Sequence, residues 1–337
     1  MVFADPAIPS LPPTCREAGK VCPRLPGWAH GFQEMRINGR RALFHDGSLQ
    51  NYVSLLLLVP EEDLGLFVAY NSAGGGRALD ELLQAFFNRY YPAPATSALQ
   101  PPAGAAVRAG RLVGSYQAAR RPYTTIEVLT RDMPVAELSA ANDGTLHFLG
   151  RQWVEIEPLL YQSTEGDDLL AFRADVQGRV TGAALGTLAL DRLQWNGLPV
   201  VRLALAGICL ALLLSALIGW PVAALIRKRR GSKHPGRLAR WVAGVAAALA
   251  LLDLAALVAT LGQASLTYGV PPSLAALTLV PYAVAVLALG ALLIAALAWA
   301  RRLWPLVSRV HYTLVVLALG AMLWLMHVYN VLGPHLG

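Results

Sequence analysis

Asn38-Gly39-Arg40-Arg41-Ala42-Leu43-Phe44-His45-Asp46-Gly47-Ser48, followed by Asn51-Tyr52-Val53-Ser54-Leu55-Leu56-Leu57-Leu58-Val59-Pro60-Glu61-Glu62-Asp63-Leu64-Gly65-Leu66-Phe67-Val68-Ala69-Tyr70-Asn71-Ser72, decides the reading of the first third of the chain. Turn signals at Asn38-Gly39, Gly47-Ser48 and Pro60-Glu61-Glu62-Asp63 divide it into three β-rich runs, which predicts an antiparallel meander. His45-Asp46-Gly47 closes the first run. Leu79, Leu82, Leu83, Phe86 and Phe87 then repeat at helical spacing and predict a helix from about Arg77 to Arg89, with Gly74-Gly75-Gly76 as a flexible joint into it.

The rest of the chain divides by composition. Of 337 residues 55% are apolar, too many for an ordinary soluble domain, and the excess lies after Leu198. The run from Leu203 to Ile226 carries no charge, and at about 1.5 Å per residue such a helix of about 36 Å exceeds a hydrocarbon core of roughly 30 Å. Four transmembrane helices are predicted, at about 203–226, 241–262, 274–300 and 312–332. The second contains Asp253, whose cost of about +3 kcal/mol is outweighed by roughly −3 to −5 kcal/mol from its Leu and Val residues. Pro221 and Pro281 fall inside or near spans, where neighbouring helices can satisfy freed carbonyls.

The net charge of +7 does not point to nucleic acid once it is located. Up to Leu198 there are 17 basic and 20 acidic residues, and after it 11 basic and one acidic. Arg227, Lys228, Arg229, Arg230, Lys233, Arg237 and Arg240 fill one short loop and its flanks, and Arg301, Arg302 and Arg309 another. The positive-inside bias puts these loops, 227–240 and 301–309, in the cytoplasm and the residues before 200 outside it. Met1 to Pro6 has no basic start and no apolar core, so it does not read as a signal peptide, and a signal-bearing segment upstream of Met1 is the expectation.

Residues 1–26 are Pro-rich and aperiodic and read as an irregular arm; Cys15 and Cys22 in it are either a small disulfide loop or two unpaired thiols. Residues 27–91 hold the meander and helix, and a Pro/Ala-rich stretch over 92–107 reads as a linker. Residues 108–198 alternate in short runs, with Asp143-Gly144 and Gln177-Gly178 as hairpin turns, and predict a small antiparallel barrel or sandwich. Cys209, inside a span, is a small apolar residue.

A strand bearing His-x-Gly, then two apolar strands and a helix, resembles the end of a penicillin-binding-protein or β-lactamase-type serine hydrolase. A β-domain opened by Gly114-Ser115-Tyr116 resembles the accessory domain that follows it in such enzymes. The resemblance implies an α+β fragment, the antiparallel sheet plus C-terminal helix of a β-lactamase/transpeptidase-like fold, then the small all-β domain, then a four-helix transmembrane bundle. It implies acyl transfer on an ester, amide or peptide. In that family Ser-x-x-Lys supplies nucleophile and base, Tyr-x-Asn or Ser-x-Asn lies on a loop, and Lys-Thr-Gly or His-x-Gly lies on a sheet strand. His45 is then the basic side chain of the third motif, Gly47 the position that clears space for substrate, and Ser48 an oxyanion donor through its backbone N–H.

The other motifs are absent. Only three lysines occur, Lys20, Lys228 and Lys233, and three positions before them stand Glu17, Leu225 and Arg230. No Tyr or Ser has Asn two positions later. With 44 residues before His45, the chain is expected to hold only the last part of a catalytic domain and to be inactive as it stands. The alternative is a non-catalytic membrane protein whose β-domain binds a partner.

Expected partners are the lipid bilayer and a cell-envelope component or peptide-like substrate, with no nucleic acid. No cofactor and no metal is indicated, since no Cys/His cluster has zinc spacing. Glu61, Glu62 and Asp63 read as a solvated hairpin tip, and the glycine run lacks the Lys-Ser/Thr ending of a phosphate loop. Asp253 and His327 are the ionisable groups within spans, open either to a proton-linked pairing or to purely structural roles.

Overall fold

The computed structural model describes residues 25–49, 51–93, 99–129, 135–230, 236–261 and 270–333. Cys15, Cys22, Lys233 and most of the 1–26 arm lie outside the described residues. Two compact units emerge, one comprising residues up to Arg120 with 133–193, the other Arg121–Asp132 with Gln194 onward.

The first unit opens with a sheet of five antiparallel strands in chain order: β1 (Trp28–Ala29), β2 (Phe32–Ile37), β3 (Arg40–Leu49), β4 (Tyr52–Val59) and β5 (Leu64–Tyr70). Asn38 and Gly39 both take positive φ, 50° and 81°, the pair of values a two-residue hairpin needs to match strand twist. Gly47-Ser48 is not a turn. Strand β3 runs through it, with Gly47 opposite Ser54 and Ser48 opposite Val53, and the chain reverses beyond Leu49, where Asn51 has φ 61°. Glycine and serine favour turns, but pairing with a β-branched and apolar partner strand prevails over that local preference. Pro60–Glu62 forms a single 3-10 turn, exposed throughout, in which Arg40 and Glu62 pair.

Helix α1 (Gly75–Tyr90) begins two residues earlier than its apolar spacing indicates. Leu79, Leu83 and Phe87 bury against Ala42, Leu55, Leu57 and Val59 on one face of the sheet, each such side chain worth about 1.5–3 kcal/mol. Leu82 points outward and is 38% exposed. Gly75 is no loose joint, for it is buried where a side chain would meet Tyr70 and Val53.

Across the end of the Pro/Ala-rich stretch, Ala105–Gly110 forms a short helix, α2. Eight strands follow: β6 (Gly114–Ala118), β7 (Ala136–Ala140), β8 (Leu146–Phe148), β9 (Arg151–Glu157), β10 (Leu160–Ser163), β11 (Leu169–Ala174), β12 (Val180–Leu185) and β13 (Leu188–Arg192). Each pairs antiparallel with the next, and β13 pairs with β6, closing a barrel. Closure leaves no strand edge unpaired. Its interior holds Tyr116, Leu138, Leu146, Phe148, Trp153, Tyr161, Leu170 and Phe172.

Two polar groups inside the barrel donate to backbone carbonyls, while the buried Tyr161 hydroxyl has no hydrogen-bond partner among the described residues. The Tyr116 hydroxyl donates to the Leu112 carbonyl at 2.7 Å and the Trp153 indole N–H to the Phe148 carbonyl at 3.0 Å. Burial pushes the Tyr116 hydroxyl up to about 12. Helix α2 is held by Arg108, whose guanidinium grips the buried Glu155 carboxylate through Nε at 2.8 Å and Nη2 at 2.7 Å. That pairing fixes α2 to strand β9 of the barrel. Gly144, in the Asp143-Gly144 turn, has φ 92°, and a Cβ there would lie 2.6 Å from the backbone of Ala106.

The second unit is helical. Helices α3 (Pro199–Arg229), α4 (Arg237–Leu261), the pair α5 (Pro272–Leu277) and α6 (Val280–Ala300), and α7 (Leu306–Val328) supply four segments long and apolar enough to cross a membrane. This is a multi-pass membrane protein. The third segment is interrupted at Thr278-Leu279, since Pro281 has no N–H to continue the ladder from α5. Pro221 is accommodated inside α3. Helix α3 packs on α4 and α7, and α6 on the same two, around a core of alanines, leucines and Cys209.

Residues 121–129, which connect β6 towards β7 in sequence, belong to the helical unit. Ile126 is fully buried in the bundle core, and Asn330 Nδ2 donates at 3.0 Å to the carbonyls of both Tyr123 and Thr125.

Candidate functional site

The His45-to-Ser48 stretch occupies the second half of β3, and the register determines what surrounds it. Strand β4 covers one side of β3 along its whole length, from Leu43 opposite Leu58 to Leu49 opposite Tyr52. On the other side β2 pairs with β3 only from Arg40 to Phe44. Among the described residues no strand pairs with that edge from His45 to Leu49, all five of which are exposed. An open edge of this kind presents unpaired main-chain groups to whatever extended chain approaches.

Strand alternation places His45, Gly47 and Leu49 on the face opposite α1, beside Ser54, Leu56 and Phe67 across the register. That face carries uncovered apolar area, with Phe67 67% and Leu49 78% exposed. The His45 ring stands edge-on to Phe32, centroids 6.2 Å apart at 75°. At Gly47 an added Cβ would sit 3.0 Å from the Ser54 hydroxyl.

Asp46 and Ser48 alternate to the α1 face. Asp46 accepts a hydrogen bond from Gln33 Nε2 at 3.1 Å, and Gln33 Oε1 accepts one from the Thr187 hydroxyl in the β12–β13 hairpin. Asp167 of the barrel likewise accepts from the Gly39 N–H. The sheet is thereby tied to the barrel at both ends of β3. Gln33 and Thr187 carry no sequence signal that marks them, since their partners are 13 and 154 residues away.

The structure does not bring Asp253 and His327 together. Asp253 is 3% exposed, and neither carboxylate oxygen has a hydrogen-bond partner. His327 faces outward on α7. Among the described residues no group of three or more His, Cys, Asp or Glu residues is placed to hold a metal.

No protein-family model matches the chain and no curated protein does. Among solved structures, the chain is similar to SurE with D-Leu at 17% identity and a TM-score of 0.28, over 50% of this chain and 39% of that one. It is similar to a further SurE structure at 16% identity and a TM-score of 0.29, over 49% and 37%. The octameric penicillin-binding protein homologue from Pyrococcus abyssi matches at 16% identity and a TM-score of 0.17, over 51% of this chain and 39% of that protein. The chain spans about two fifths of the length of the structures it matches.

Proposed function

We propose that this chain is part of a membrane-anchored serine acyl-transfer enzyme of the β-lactamase-related type, with β3 from His45 to Ser48 as one wall of the site. The observation that carries the reading is the open edge of β3. An ester, amide or peptide in extended form adds to such an edge through main-chain hydrogen bonds. Gly47 leaves room for it, His45 sets a basic group beside it, and the Ser48 N–H would donate to the oxyanion formed at the acyl carbon.

The chain has no Ser-x-x-Lys and no Tyr-x-Asn or Ser-x-Asn, so the wall alone performs no acyl transfer. The basic loops 227–240 and 301–309 are read as cytoplasmic, with the sheet and barrel outside.

The test uses the full chain in detergent. Incubation with a serine-directed fluorophosphonate and with a penicillin should leave every residue unmodified, and a covalent adduct at any position would overturn the inactivity. An N-acylated peptide amide should slow hydrogen exchange at 45–49. Unchanged exchange there at saturating peptide would remove the wall from the reading.

A further inference from the structure

Where the C-terminal end of α3 meets the N-terminal ends of α4 and α7, a cleft of ≈ 190 Å³ is lined by Trp220, Arg227, Arg240, Trp304, Ser308 and Tyr312, among others. It is smaller than the roughly 300 Å³ at which sites for drug-sized molecules begin. Its walls are fixed by aromatic contacts. Trp220 stacks on Tyr312 with centroids 5.8 Å apart at 23°, Trp304 meets Tyr312 edge-on at 5.3 Å, and the Tyr312 hydroxyl donates to the Ala239 carbonyl at 3.2 Å.

His311, which also lines the cleft, is committed elsewhere. The Trp220 indole N–H donates to its Nδ1 at 3.2 Å, which places the imidazole proton on Nε2, 2.9 Å from the Ser215 hydroxyl. Ser215 in turn donates to the Leu212 carbonyl at 2.7 Å. The charge of the cleft is therefore that of Arg227 and Arg240.

Neither arginine is neutralised. Among the described residues no carboxylate pairs with them, and after Leu198 the sequence contains a single acid, Asp253. It lies thirteen residues along α4 from Arg240, about 20 Å at 1.5 Å per residue. Arg227 spends Nε on the Ala223 carbonyl at 3.1 Å. The two arginines line the same cleft at the ends of their spans, Arg227 being the first charge after the uncharged run of α3 and Arg240 the last before the apolar run of α4. That is the level at which a bilayer presents phosphates, and at which Trp and Tyr collect.

We propose that this cleft binds a phosphodiester anion, supplied by the headgroup of an anionic phospholipid, with Arg227 and Arg240 as its charge partners and Ser308 as a hydroxyl donor. The guanidinium fork suits tetrahedral phosphate oxygens, and the aromatic walls accept the glycerol and first acyl carbons. The inference stands apart from the acyl-transfer reading, since it involves only the helical unit.

The experiment takes the full chain in a non-ionic detergent and measures retained lipid by native mass spectrometry during titration with dioleoylphosphatidylglycerol, dioleoylphosphatidylcholine or inorganic phosphate. Phosphatidylglycerol should bind at least tenfold more tightly than phosphatidylcholine, whose ammonium cancels the phosphate charge, and millimolar inorganic phosphate should not displace it. Arg227→Gln with Arg240→Gln should remove that preference, Arg227→Lys with Arg240→Lys should retain part of it, and Arg301→Gln with Arg302→Gln, exposed and outside the cleft, should change it less than twofold. Equal binding of the two lipids, or an equal loss in the Arg301/Arg302 variant, overturns the site. Displacement by inorganic phosphate overturns the lipid as its occupant. The wild-type lipid comparison decides the matter even where a glutamine variant fails to fold.

Discussion

The eight-stranded barrel and the five-stranded sheet beside it are both antiparallel meanders of consecutive hairpins, and they differ in what becomes of their edges and faces. The barrel joins β13 to β6, so every strand has two neighbours, and its interior is filled by Trp153, Tyr116, Tyr161 and Phe148. The sheet buries one face under α1 and leaves the other bearing Phe67 and Leu49, with half of β3 unpaired on one side among the described residues. Closure gives a self-sufficient core. The sheet has one face under α1 and one face open, and the candidate site lies on β3 beside that open face.

The comparison is broken most severely by removing large side chains. Trp153→Ala should cost the barrel about 3 to 5 kcal/mol, while Phe67→Ala on the open sheet face should stay within about 0.5 kcal/mol. Denaturant-dependent hydrogen exchange of barrel and sheet amides separates the two. Comparable losses would mean that the sheet face is covered in solution.

The next effect concerns the ion pair that anchors α2. Arg108→Ala leaves the Glu155 carboxylate, 1% exposed, without its partner, whereas Glu155→Gln leaves an arginine that is 38% exposed and reaches water. Arg108→Ala should therefore lower the barrel's unfolding midpoint further than Glu155→Gln, and the reverse order would deny that the carboxylate is the confined member.

A matched pair of glycines gives a smaller contrast. Gly144 in the barrel and Gly31 in the β1–β2 turn share a φ of 92°, but a Cβ at Gly31 would meet nothing within 4 Å. Gly31→Ala should cost about 1 kcal/mol from backbone strain alone, and Gly144→Ala about 2 to 3 kcal/mol because α2 blocks the methyl group. Urea titrations of the two variants measure the difference.

The smallest effect is one of pH. The Thr145 backbone N–H holds the Asp143 carboxyl below its ordinary value, and that of Arg179 does the same for Asp175. A carboxylate lowered in the folded state contributes stability that is present above its unfolded value near 4 and is lost as pH falls through the lowered one. Replacing both with Asn should flatten the barrel's loss of stability below about pH 4. An unchanged profile would assign acid sensitivity to other groups.

Much of this organisation is legible in local pattern. Asn38-Gly39 marks its hairpin, apolar β-rich runs between turn signals mark β4 and β5, and apolar length marks the four membrane helices, the second despite Asp253. What escapes local reading depends on distant partners. Gly47-Ser48 has turn chemistry yet stays extended because Val53 and Ser54 pair with it. Helix α2 is fixed to β9 by Glu155, 47 residues from Arg108. At the candidate site, His45, Gly47 and Ser48 are visible as a short pattern on one strand, whereas the Asp46–Gln33–Thr187 hydrogen bonds that tie β3 to the barrel follow from tertiary contact alone.

The seating of residues 121–129 among the membrane helices has a topological result. The chain passes between the two units three times, near 120, 132 and 193, so they are stitched rather than strung together. A single proteolytic nick between Leu193 and Gln194 would cut the stretch leading into α3 without releasing the barrel. The fragment ending at Leu193 would still carry Ile126 and the carbonyls of Tyr123 and Thr125, and would stay riveted to the bundle through Asn330.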